Sequence, residues 1–110
     1  MTSLYAQYIN ERFSDYVIET DEGFATYRYL NDEQVYIVDI FVQAKFRKTG
    51  VAKKLADQIC KEAKSEGCTE VIGTVMPSAK NATTSLLVLI AYGMKIKSCS
   101  ENVIVMSKEI

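Results

Sequence analysis

Between Asp15 and Val42 the chain is three short runs of β-branched and aromatic residues, DYVIET, FATYRYL and QVYIVDIFV, parted only by DEG and NDE. Three-residue breaks of Asp, Asn, Glu and Gly are turn chemistry and are too short for a crossover. The stretch therefore predicts a meander of three antiparallel strands. A half-sheet of this kind must bury one face, and the rest of the chain has to supply the cover.

From Gly50 to Glu66 the apolar residues Val51, Leu55, Ile59 and Ala63 recur every four positions, while Lys53, Lys54, Asp57, Lys61 and Lys64 take the other face. That spacing predicts an amphipathic helix, stopped by Gly67. TEVIGTV reads as a strand broken by Pro77 and Ser78. Residues 81–92 suit a strand by their β-branched content, but Asn81 as N-cap, their length and Gly93 as a stop make them a helix. MKIKSCS and VIVMSKEI are strands around a turn at Glu101 and Asn102, and Leu4, Tyr8 and Ile9 place a short helix over 4–13. The expected order is α, β, β, β, α, β, α, β, β, an α+β fold with a mostly antiparallel mixed sheet. No repeat, low-complexity tract or linker interrupts it, so residues 1–110 are read as a single domain.

With 48% hydrophobic and 25% charged residues the chain has the composition of a globular domain. Three cysteines (Cys60, Cys68, Cys99), no CxxC and no histidine argue against a disulfide framework, a metal site or a thiol enzyme. A reducing, cytoplasmic setting is expected. The N-terminus has no basic region followed by an apolar one and reads as no signal peptide. LLVLIA, the longest apolar run, falls far short of a membrane span. Net charge is −1, divided into −6 over residues 1–43 and +5 over residues 44–110. Such a division can focus opposite charges at different parts of one surface. The cations form no continuous basic face, so nucleic acid is not an expected partner.

The cations gather in DIFVQAKFRKTGVAKKL, where Lys45, Arg47, Lys48, Lys53 and Lys54 surround Gly50 at the start of the long helix. A helix N-terminus presents unpaired N–H groups and the positive end of its dipole, so a glycine-led turn there can take a phosphate onto the backbone. Neither GxxxxGK[ST] nor GxGxxG is present. RKTGVA, Arg47 to Ala52, instead resembles the R/Q-x-x-G-x-G/A signature of the GNAT superfamily of acetyl-CoA-dependent N-acetyltransferases. VYIVDIFVQAKFRKTG is similar to that family's strand and loop, YGMKI to its GF turn and VMSKEI to its closing strand; the resemblance covers residues 33–110.

The resemblance implies a sheet splayed between the strands at 35–42 and 69–75, with acetyl-CoA as cosubstrate in the splay. It implies that main-chain groups at Ile40, Phe41 and Val42 hold the pantetheine arm, that Arg47, Lys48, Thr49, Gly50, Val51 and Ala52 bind the pyrophosphate, and that Asn81 contacts the pantetheine. The expected reaction is direct acetyl transfer to a primary amine of a small molecule or protein, the acidic half favouring a cationic acceptor. The sequence also departs from the family. Only about fifteen residues precede the first strand, so the chain reads as N-terminally truncated, its acceptor pocket open or completed by another chain. The usual helical tyrosine is absent, its positions falling on Leu89 or Val88, which leaves Tyr92 as either a displaced acid or a core residue. The glutamate of polyamine-acetylating relatives is matched by Val38, which leaves Asp39 as either a base turned by a bulge or a backbone cap beside one. The apolar helix at 81–92 suggests burial in a homodimer. These departures also fit a catalytically degenerate member that binds CoA or a protein partner in a structural or regulatory role.

Overall fold

The computed structural model describes residues 3–110 and shows the meander in register. Strands β1 (Tyr16–Glu19), β2 (Gly23–Tyr29) and β3 (Gln34–Val42) pair antiparallel. The chain continues through helix α2 (Val51–Ser65), β4 (Glu70–Val75), α3 (Ala82–Ala91), β5 (Lys95–Ser100) and β6 (Val103–Glu109), all preceded by α1 (Leu4–Phe13). The six strands lie in the order β1-β2-β3-β4-β6-β5, and only the β3–β4 pair is parallel. A single 3-10 turn at Ala44–Phe46, with no predicted counterpart, joins the half-sheet to α2.

Val51, Leu55, Ile59 and Ala63 are all buried, as their spacing predicts, and with Ala25, Tyr27, Val35 and Val42 of the sheet they form the core. The helix stops at Gly67: its N–H bonds the Lys64 carbonyl, and the Cys68 N–H bonds that of Ala63, closing a Schellman motif. On the opposite face α1 is held by the Ser3 cap on Ala6 N–H and by Tyr5 set edge-on to Phe24 at 5.2 Å. Asp15, almost fully buried, accepts from two of the Arg28 guanidinium nitrogens at 2.8 and 3.0 Å, which is how an ion can be kept inside so small a fold.

Asn81 stands at the N-cap position of α3, but its side chain makes no capping bond; its carbonyl takes the Ser85 N–H. Within the single chain α3 is only half covered. Leu86 and Leu89 rest on the core, but Leu87, Val88 and Ile90 face solvent, because a ten-residue helix over one strand can cover only one of its sides.

The splay is real and abrupt. Gln34, Val35 and Tyr36 pair with Glu70, Val71 and Ile72, after which β3 keeps only β2 and β4 keeps only β6. A bulge starts at the same point: Tyr27 faces Ile37 and Thr26 faces Asp39, so Val38 is the extra residue.

Candidate functional site

The loop after β3 is fastened before it reaches α2. Gln43 bonds the Glu22 and Asp21 carbonyls through its main-chain and side-chain nitrogens, and the Thr49 hydroxyl donates to the Phe46 carbonyl. Arg47 turns back, its Nε donating to the Val42 carbonyl at 3.0 Å and its guanidinium lying 5.8 Å from the Phe41 ring. Lys48 (φ 65°) and Gly50 (φ 91°) are left-handed, and this geometry brings the backbone into the helix. A Cβ at Gly50 would meet nothing within 4 Å, so the glycine answers a backbone demand and leaves open space at the mouth.

That mouth carries no cap. Among the described residues no side chain bonds the first N–H groups of α2, no acidic residue lies in its first turn, and the first helical bond runs from Lys54 N–H to the Gly50 carbonyl. Of the five cations, Lys45 lies over the Phe46 ring, Lys53 pairs with Asp57 at 2.9 Å and Arg47 holds the strand end. Among the described residues Lys48 and Lys54 have no partner.

From the mouth a cleft of about 270 Å³ runs between α2 and α3 toward the splay, with Ile37 and Ile40 on one wall, Ala52 and Ala56 on α2, and Leu89 and Tyr92 opposite. The two alanines leave the room that the cleft occupies. Beyond Tyr36 the open side of β3 has no strand partner, so alternate N–H and C=O groups between Ile37 and Val42 are turned toward the splay.

The two candidate catalytic residues are parted by this sheet. Without the bulge Asp39 would share the face of Val35 and Ile37 beneath α2; with it, Asp39 lies with Thr26 and Phe41 on the other face, exposed. Tyr92 lies on the cleft side, and its hydroxyl donates to Asp57 Oδ1 at 2.6 Å, with Cys60 Sγ at 3.6 Å. Burial, then the bonds to Asp57 and Cys60, raise the Tyr92 pKa far above the ordinary phenol value. The bonds from Tyr92 and Lys53 hold the Asp57 carboxyl below its usual range. Lys108 stacks 4.3 Å from the Tyr92 ring centroid and donates to the Tyr92 carbonyl. Asn81 is exposed, with its amide uncommitted.

Asp57 was legible only as part of a polar helix face, and nothing local ties it to Tyr92, which lies 35 residues away. Ala56 and Met94 likewise join the cleft only through the packing of α3. Among the described residues no group of three or more cysteines and carboxylates is placed to hold a metal ion, and no helix is long and apolar enough to cross a membrane.

The model of the acetyltransferase (GNAT) family matches residues 4–84. Among solved structures, this fold is similar to a GNAT family acetyltransferase from Elizabethkingia anophelis with acetyl-CoA bound, at TM-score 0.74 and 17% identity over 94% of this chain and 82% of that one. It is similar to the PaiA N-acetyltransferase from Thermoplasma acidophilum in complex with coenzyme A, at TM-score 0.75 and 14% identity over 97% and 69%. It is also similar to a Bacillus subtilis acetyltransferase in complex with CoA, at TM-score 0.72 and 16% identity over 94% and 83%. No curated protein sequence matches the chain.

Proposed function

The chain belongs to the acetyltransferase (GNAT) family, and from that premise we propose that it is a single-domain N-acetyltransferase which transfers acetyl from acetyl-CoA to a primary amine in a ternary complex. The observation that carries the reading is the uncapped, glycine-led mouth of α2 opening into an apolar cleft that ends at the splay. Neighbours of the same fold have acetyl-CoA or CoA bound.

Acetyl-CoA, when bound, supplies an acetyl group already activated as a thioester. The N–H groups at Val51 and Ala52 would face the pyrophosphate, with Lys48 and Lys54 supplying charge, while Thr49, its hydroxyl spent on the Phe46 carbonyl, shapes the loop beside it. Arg47 acts one step back, holding the strand end that the loop hangs from. The open edge at Ile40, Phe41 and Val42 takes the pantetheine amides, and the free Asn81 amide reaches the same arm. Asp39 faces the acceptor side, where it attracts a cationic amine and takes its proton, directly or through water. Tyr92 is the one hydroxyl lining the cleft among the described residues; its commitment to Asp57 leaves water the readier proton source for the departing sulfur. The amine is carried by a small molecule or a protein.

The exposed apolar side of α3 (Leu87, Val88, Ile90) supports a homodimer. The free cysteines, Cys99 exposed among them, support a cytoplasmic setting. A catalytically degenerate reading draws on one observation: no tyrosine hydroxyl in the cleft is free to act. Titration of acetyl-CoA against the purified chain, followed by thiol release with a panel of amines, separates the two. Binding with amine-dependent release supports the enzyme, binding alone the CoA-binding degenerate form, and no binding overturns both of these.

A further inference from the structure

A second cavity lies at the other end of α2. Its volume is about 420 Å³, and it is walled by Tyr16, Tyr27 and Tyr29, by Asp32 in the turn before β3, and by Glu62 and Glu66 of the helix. None of its lining residues is basic. The tyrosines meet because Tyr16 pairs directly with Tyr27 across β1 and β2 and Tyr29 follows two residues later on the same face. Tyr16 stacks on Tyr27 at 5.6 Å, and Tyr29 stands edge-on to the two at 5.6 and 6.0 Å.

Three features of this cavity are unfavourable unless a cation enters it. Tyr27 is only 7% exposed, yet its hydroxyl makes no hydrogen bond; since no fully buried side-chain oxygen or nitrogen among the described residues is left unpaired, that hydroxyl opens into the cavity. Among the described residues the Asp32, Glu62 and Glu66 carboxylates take part in no ion pair. Glu62 and Glu66 also stand one turn apart, where like charges repel, at the negative end of the helix dipole, with Lys64 the base of that last turn.

Aromatic faces attract an organic cation, and unpaired hydroxyl and carboxylate oxygens ask for N–H donors. We infer that this cavity binds a primary alkylammonium ion, its N–H groups donating to Glu62, Glu66 and the Tyr27 hydroxyl and its methylenes lying on the tyrosine rings. The site is separate from the proposed transfer cleft and does not rest on that reading. Ala56, the last α2 residue of the cleft, and Glu62, the first of this cavity, are six residues apart, about 9 Å of helix rise. An amine seated here is retained or sensed, not acetylated.

The test is calorimetric titration of the whole chain without acetyl-CoA, using spermidine, an Nα-acetyl-lysine amide and tetramethylammonium. Saturable binding of spermidine supports a free amine as the source, and saturable binding of the lysine amide supports a side chain. Tetramethylammonium, which lacks N–H groups, is expected to bind roughly tenfold more weakly. Glu62→Gln with Glu66→Gln, both exposed, should weaken binding by a similar factor while acetyl-CoA affinity holds and Tm does not fall. Tyr27→Phe should weaken it about threefold. Failure of both amines to saturate, undiminished binding in the glutamine variant, or a preference for tetramethylammonium overturns the inference.

Discussion

The two ends of α2 are built as opposites. At the first, uncapped N–H groups and the cations Lys48 and Lys54 crowd the positive end of the dipole; at the second, Glu62 and Glu66 crowd the negative end. The first arrangement opposes what a helix chosen for stability would carry; the second does so only in part, since Lys64 in the last turn complements the dipole that Glu62 and Glu66 oppose. Between them Leu55 and Ile59 are buried as ordinary core. The difference teaches where to look for ligands: uncompensated charge invites a partner of opposite sign, on the proposed readings an anion at one end and a cation at the other.

The largest effect should come from the shared middle. Ile59→Ala removes a fully buried side chain and is expected to cost about 3 kcal/mol, a fall of some 10–20 °C in Tm for a chain of this size. Acetyl-CoA and the ammonium ligand should each raise the lowered Tm again. An unchanged Tm would mean that α2 is not the wall common to both sites.

Gly50→Val separates the ends. Its φ of 91° makes any side chain costly by about 1–3 kcal/mol, and the new side chain would stand in the mouth. Acetyl-CoA affinity should fall by roughly tenfold or more, while ammonium binding at the far end should not move. Equal losses at both ends in calorimetry would show one site, not two.

Lys48→Ala with Lys54→Ala should weaken acetyl-CoA about three- to tenfold at low salt, the difference shrinking at high salt as screening removes the charge. Arg47→Ala should be less sensitive to salt, since Arg47 is spent on the Val42 carbonyl. A steeper salt dependence for Arg47→Ala would put the guanidinium on the phosphate itself.

The smallest change in rate is expected from Tyr92→Phe, with turnover still rising with pH and no descending limb. The same variant should let the Asp57 carboxyl rise toward its ordinary value, read by NMR titration. Because that pKa is depressed in the fold, the stabilisation it marks is present above the unfolded value near 4 and is lost as pH falls through the folded one. At the other end burial, with Tyr29, Glu62 and Glu66 nearby, pushes Tyr27 up to about 12, so its neutral form favours the fold. That contribution is complete below pH 10 and fades above it, and a bound ammonium should draw the Tyr27 titration downward.

Periodicity made the elements legible. Alternation and three-residue turns set the meander, and four-residue spacing set α2, because each depends on neighbours close in the chain. The loop from Arg47 to Ala52 was legible for the same reason, since its left-handed turn and the helix mouth are local. What α3 covers was not, for its apolar residues spell burial without saying against what, and the fold buries only one side of it.

The side chains that face one another across the chain were decided only in three dimensions. One extra residue at Val38 sends Asp39 to the face away from the cleft, and no spacing rule announces it. The Tyr92–Asp57 bond joins residues from two helices, and the tyrosines of the second cavity meet Glu62 and Glu66 only because α2 lies across β2 at one angle. By itself the sequence determined the strands, the helices and the glycine-led loop, all of which are written in local backbone preference. Pairing at a distance depends on how twisted, bulged strands bring remote surfaces together, and that was settled by the packing of the whole chain.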